Sequence, residues 1–192
     1  MASKINPFGK VVNERSAIDI LQENFGIGIK EYDRGADAWD ADSGTWAWSP
    51  SVSKECVVEF SVNEGKGTGR QIIPVSEFRE YVASLRSIIE SGYKEPEGAD
   101  RTAYVPTNVI ALQSFKMVYP RHVGSDGKVF EDKSGERNIV SVRCTSGKGA
   151  KPMMIPRDQF GEVVGMLRQI AENLDAYELQ AWSNYNAAIG KQ

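Results

Sequence analysis

One stretch of this chain occurs twice, and that repetition limits the fold more than any other feature. The segment Val57 to Glu90, VVEFSVNEGKGTGRQIIPVSEFREYVASLRSIIE, shifted by 82 positions falls without a gap on Ile139 to Glu172, IVSVRCTSGKGAKPMMIPRDQFGEVVGMLRQIAE. Thirteen of the 34 paired positions are identical, among them Val58/Val140, Ile73/Ile155, Pro74/Pro156, Phe78/Phe160, Leu85/Leu167 and Ile88/Ile170. Average residue usage gives roughly two by chance. The spacing predicts a tandem duplication.

Each copy reads as strands followed by a helix. IGIKEY (Ile27 to Tyr32) alternates as a strand does, and IALQSF (Ile110 to Phe115) is taken as its counterpart at an offset of 83. A short second strand is expected at Thr45 to Trp48 behind Asp42-Ser43-Gly44, and at Lys128 to Phe130 behind Asp126-Gly127. Val57 to Val62 and Gln71 to Val75 supply two more, and a helix from about Ser76 to Ser91 carries the apolar stripe Phe78, Val82, Leu85, Ile88 and Ile89. The expected fold is α+β: two ββββα repeats whose helices pack together as an intramolecular pseudo-dimer, with curved antiparallel sheets facing outward.

The expected organisation is an N-terminal arm and helix over 1–26, repeat one over 27–92, a linker over 93–107, repeat two over 108–173, and a helical extension over 174–192. Ser16, with Asp19 three residues on, is placed to cap the first helix. In the extension, Leu174, Tyr177, Ala181, Trp182, Tyr185 and Ile189 form a helical stripe that needs cover. Either it folds back on its own chain or it pairs two chains as a homodimer.

A length of 192 residues with 41% hydrophobic and 26% charged residues is that of an ordinary soluble protein of one or two domains. No apolar run approaches the roughly 18 residues of a membrane helix, and the polar start MASKINPFGK does not read as a signal peptide. A cytoplasmic location, in a bacterial or phage-infected cell, is the expectation, with no membrane partner. Cys56 and Cys144 occupy non-equivalent repeat positions, which argues for free thiols, and the single histidine, His122, leaves no basis for a His-rich zinc site or a Ser/His/Asp triad. The glycine-rich GKGTGR and SGKGAK lack P-loop spacing and lie between strands, and DAWDADSG lacks the ligand positions of a calcium loop. No enzyme activity, metal or cofactor is expected.

The net charge of −3 conceals an asymmetry. Ile27 to Gly92 holds seven Lys/Arg against eleven Asp/Glu, whereas Val109 to Asn173 holds ten against seven, so repeat two is the better anion binder.

GRQIIPVSEFREYV (Gly69 to Val82) resembles the last strand and helix start of a Pur-alpha repeat, and KGAKPMMIPRDQFGEVVGML (Lys148 to Leu167) resembles the matching part of positive cofactor four coactivators. Together with the element order, the chain resembles the single-stranded nucleic-acid-binding superfamily that also includes the Whirly proteins, over roughly Ile27 to Asn173. The resemblance implies paired ββββα units whose exposed sheet faces bind single strands with little sequence preference. This chain departs from the pattern in its acidity, with Asp37, Asp40 and Asp42 in the first long loop, and in its terminal additions.

Alternation sorts the faces independently of any resemblance. Val58, Phe60 and Val62 with Val140, Val142 and Cys144 are assigned to the core, which turns Glu59, Ser61, Ser141 and Arg143 outward. Ile27, Ile29, Ile110 and Leu112 are assigned inward, leaving Lys30 with Tyr32 and Gln113 with Phe115 outside. Aromatics beside cations suit base stacking with phosphate contact. The nucleic-acid-binding candidates are therefore Lys30, Tyr32, Trp46, Trp48, Lys66, Arg70, Phe115, Lys116, Arg121, Arg137, Arg143, Lys148 and Lys151. The expected function is sequence-tolerant binding of single-stranded DNA in replication, recombination or transcription. An RNA-binding module, or a protein–protein adaptor working through the C-terminal stripe, is the alternative.

Overall fold

Nine of the thirteen residues shared at the 82-residue offset lie where a strand turns into a helix and along the helix that follows. The computed structural model describes residues 4–5, 11–12, 15–33, 35–49, 52–64, 70–95, 112–144 and 151–191. Strand β7 (Gln71–Pro74) runs directly into helix α2 (Val75–Glu90), and β12 (Met153–Pro156) runs into α3 (Arg157–Glu172), both at the 82-residue offset. Pro74 and Pro156 stand at the two N-caps with nearly the same backbone angles, φ −54° with ψ 139° and 136°. Proline suits that junction because its ring fixes φ and its missing N–H is not needed there. Beyond it, Phe78, Tyr81, Val82, Leu85 and Ile88 on α2 are buried, as are Phe160, Val163, Val164, Leu167 and Ile170 on α3. The two helices pack against each other, and their stripes share one apolar cluster with Val58, Phe60, Ile73, Val140, Val142 and Ile155.

Two three-stranded antiparallel sheets flank the helices. In the first, β6 (Val52–Phe60) lies between β3 (Phe25–Asp33) and β7; in the second, β11 (Ile139–Cys144) lies between β8 (Leu112–Val118) and β12. The expected four-stranded units are corrected here, because the short second strand belongs to a separate hairpin in each case. In the first unit β4 (Ala36–Asp40) pairs with β5 (Thr45–Ser49) around Gly44, whose φ of +66° needs glycine. The pairings Asp33↔Val52 and Ala36↔Ser49 keep one register, so the hairpin prolongs the β3–β6 ribbon. In the second unit β9 (Arg121–Val123) pairs with β10 (Val129–Glu131). Seven residues, 132–138, then precede β11, whereas only two separate β8 from β9, so that hairpin is offset from the sheet.

The first-strand equivalence is also corrected. Ile27 pairs with Val58, and Met117 pairs with Val140, which makes Met117 the counterpart of Ile27 and Phe115 that of Phe25. The offset is therefore 90 rather than 83, an odd difference of seven that reverses the face of every β8 side chain. Ile110 and the side chains of Leu112, Gln113 and Cys144 lie outside the described residues.

The remaining elements anchor and cap this body. The N-terminal arm contains the paired strands β1 (Lys4–Ile5) and β2 (Val11–Val12). Helix α1 (Ala17–Glu23) is capped by Ser16, which accepts from the Asp19 N–H while Asp19 accepts from the Ser16 N–H. Gln159 Oε1 accepts from the Ala17 N–H at 2.7 Å and ties α1 to α3. Helix α4 (Leu174–Ile189) folds back on its own chain against β3 and β6. Leu174 and Ala181 are buried, Trp182 and Tyr185 are half-buried, and Tyr185 donates to Glu31 beneath the Lys54 ammonium. Of the stripe, Tyr177 and Ile189 stay exposed.

Both edges of the second sheet are closed by side chains from the first half of the chain. Asn63 donates to the Met154 carbonyl at 2.5 Å and accepts from its N–H at 3.0 Å on edge strand β12. Glu95 accepts from the Met117 N–H at 2.7 Å on edge strand β8. Satisfying free ladder groups removes sites for unwanted strand addition.

Leu85 and Leu167 are both fully buried in the shared cluster. Leu85→Ala and Leu167→Ala are each expected to cost about 2–5 kcal/mol in urea unfolding. Both variants should shift a single common transition, because neither helix has a core of its own.

Candidate nucleic-acid interface

Strand pairing fixes what each sheet turns away from the helices. In the first sheet that face carries Lys30 and Tyr32 from β3, Glu55, Val57 and Glu59 from β6, and Ile72 from β7, with Arg70 just ahead of β7. In the second it carries Lys116 and Val118 from β8, Ile139, Ser141 and Arg143 from β11, and Met154 from β12. Ser141 has the outward register expected of it, and Val57 shares that register in the first sheet, yet both side chains are buried.

The cations of the first sheet are already engaged. Glu59 accepts an ion-paired hydrogen bond from Lys30 and another from Arg70 at 2.6 Å. Burial pushes the Glu59 carboxyl upward, but the Lys30 bond and the Arg70 charge outweigh it and hold the group below the usual carboxylate range. Glu59 is thus a single counter-ion for two of the expected phosphate contacts. Tyr32 is half-buried beside them.

The second sheet presents the opposite picture. Lys116, which lies opposite Ser141, and Arg143 are both exposed. They are diagonal neighbours across the β8–β11 pair, roughly 7–8 Å apart by strand geometry. Arg121 on β9 and Lys151 ahead of β12 are exposed as well. Among the described residues these four cations form no ion pair. Arg137 is exposed, lies 5.3 Å from the centre of the Tyr119 ring, and reaches Glu95 at 3.9 Å. Phe130, on the hairpin with Arg121, is 50% exposed.

Phe115 is corrected: it faces Val142 on the helix side and packs against the core, so it offers no ring to a base. Trp46 and Trp48 are exposed on the β4–β5 hairpin, and a third ring, Trp39, pairs directly across from Trp46. Sequence reasoning missed Trp39, although its place relative to Trp46 and Trp48 about the Asp42-Ser43-Gly44 turn marks a shared face. Lys66 and Lys148, with their glycine turns, lie outside the described residues.

Two residues excluded from chemistry have structural surroundings. His122 is buried with Nε2 3.0 Å from Asp132 Oδ2, against Phe130. Cys56 is buried under α4, and that burial, with Glu178 nearby, pushes its thiol up to about 11.

Because the Glu59 carboxyl is depressed by its partners, its contribution to stability is present above the unfolded carboxylate value and is lost as pH falls through the folded one. The stability gap between the parent protein and Glu59→Gln should therefore close on acidification through that range. In Lys30→Ala/Arg70→Ala the Glu59 titration followed by NMR should move upward. No family model, no curated protein and no solved structure matches the chain, so the geometry of these two faces carries the functional reading.

Proposed function

We propose that this chain is a non-enzymatic binder of single-stranded DNA, with RNA as the alternative strand, and that its second unit does most of the binding. The observation that carries the reading is the contrast between the two outer faces. Glu59 occupies Lys30 and Arg70 in the first, while Lys116, Arg121, Arg143 and Lys151 around the second form no ion pair among the described residues, although Glu131 lies opposite Arg121. A strand crossing the second face would place phosphates on Lys116 and Arg143 and stack bases on Phe130. Such a stack contributes about 1–3 kcal/mol per base and tolerates any sequence.

The scaffold supporting this activity is read as a tandem duplication folded into an intramolecular pseudo-dimer. Three facts support it: the strand-to-helix junctions coincide at an offset of 82, the buried stripe positions of α2 and α3 coincide at the same offset, and the two helices share one cluster. The resemblance to the positive cofactor four, Whirly and Pur-alpha superfamily points the same way. Roles in replication, recombination or transcription in a bacterial or phage-infected cytoplasm follow from such an activity. The adaptor alternative is weaker, since α4 packs against β3 and β6 with Leu174 and Ala181 of its stripe buried and Trp182 and Tyr185 half-buried.

Anisotropy of labelled oligo-dT at roughly 50 and 200 mM salt tests the reading. With Lys116, Arg121, Arg143 and Lys151 engaged, the logarithmic salt slope should be about −2.8, so affinity should fall about fiftyfold between the two conditions. Binding that ignores salt, or no binding at all, overturns it. Competition with a matched RNA strand decides between the two nucleic acids.

A further inference from the structure

The β4–β5 hairpin is not absorbed by that reading. Its pairs Asp37↔Trp48 and Trp39↔Trp46 set Asp37, Trp39, Trp46 and Trp48 on one face. The three indoles are 56, 68 and 59% exposed, in chain order, which makes them the largest aromatic surface among the described residues. Isolated exposed rings are ordinary, but three on one face of a protruding ribbon are a contiguous patch of the kind that marks an interaction surface.

The rings are held in place. Trp39 and Trp46 pack edge to face, with centroids 5.9 Å apart and planes at 70°. Trp48 lies against Gly35, where a Cβ would strike its six-membered ring and approach the Ser49 carbonyl oxygen within 2.8 Å. The turn at the tip is fixed as well, with Asp40 accepting from the Asp42 N–H and the Ser43 hydroxyl. A preformed aromatic face loses little freedom on binding.

Charge decides what this face takes. Residues 36–49 contain Asp37, Asp40 and Asp42 and no lysine or arginine. A phosphate backbone would be repelled there, and a second copy of the hairpin would bring like charges together. A cation is favoured twice over, by the carboxylates and by the ring faces, since tryptophan is the strongest cation–π acceptor. Elsewhere the chain sets Lys54 over Tyr185, Arg137 over Tyr119 and Arg157 over Tyr93. Among the described residues no lysine or arginine lies over the three hairpin indoles.

We infer that the β4–β5 hairpin is a docking arm for an arginine-bearing peptide segment of a partner protein. Guanidinium groups stack on Trp39, Trp46 and Trp48, and Asp37 provides their counter-charge. The proposal does not depend on nucleic-acid binding by the second sheet.

Fluorescein-labelled octa-arginine, followed by anisotropy at about 150 mM salt against the intact chain, tests it. Trp39→Ala/Trp46→Ala leaves every charge in place and should weaken binding roughly tenfold or more. Asp37→Asn should weaken it a few-fold, and octa-glutamate should not bind. Labelled oligo-dT should bind the parent protein and the double tryptophan variant alike, and unchanged thermal melts would show that the body is intact. Octa-arginine that fails to bind, or binds the double tryptophan variant as well as the parent, overturns the proposal. Loss of oligo-dT binding in that variant also overturns it and assigns the hairpin to nucleic acid.

Discussion

The packing of α2 on α3 is the contact on which the rest of the structure depends. Each sheet has three strands and one helix of its own packed on its inner face. Joining the helix stripes turns two such layers into one cluster that holds Phe78, Leu85, Phe160 and Leu167 at full burial. The dependence extends to the edges, since Asn63 and Glu95 from the first half complete the ladder groups of β12 and β8 in the second. The second half of the chain does not supply everything its own sheet requires.

Once the core is shared, the faces turned away from it carry little of the folding constraint. Glu59 has Ser141 as its counterpart at the 82-residue offset, and Ser61 has Arg143. The first pair of differences places a carboxylate in one face and removes it from the other, which fixes whether nearby cations are spent internally or remain available. The hairpins diverge in the same way. The one that continues the β3–β6 register carries tryptophans and aspartates, while the one set off by residues 132–138 carries Arg121 and Phe130.

Much of this was legible in the sequence, for a definite reason. Six of the thirteen identical residues, Ile73, Pro74, Phe78, Val82, Leu85 and Ile88, belong to the junction and the buried stripe, where they and their counterparts have the same mechanical task. The first strands failed because 110–118 carries apolar residues on both parities, Ile110 and Leu112 on one and Phe115 and Met117 on the other, so alternation did not decide which set faces inward and the offset of 83 put Phe115 on the wrong face. The Lys30–Glu59–Arg70 cluster was equally out of reach, since it joins three strands whose relative register no local pattern encodes. Trp39 was hidden only by reading β4 as loop, although the turn chemistry beside it was recognised.

A pair of double variants tests directly the unequal division of binding proposed for the two faces. Oligo-dT affinity at about 100 mM salt would be compared for Lys116→Ala/Arg143→Ala and Lys30→Ala/Arg70→Ala. The expected result is a loss of about tenfold or more for the first and a change within about twofold for the second. Equal losses, or a larger loss for the second pair, would contradict the account.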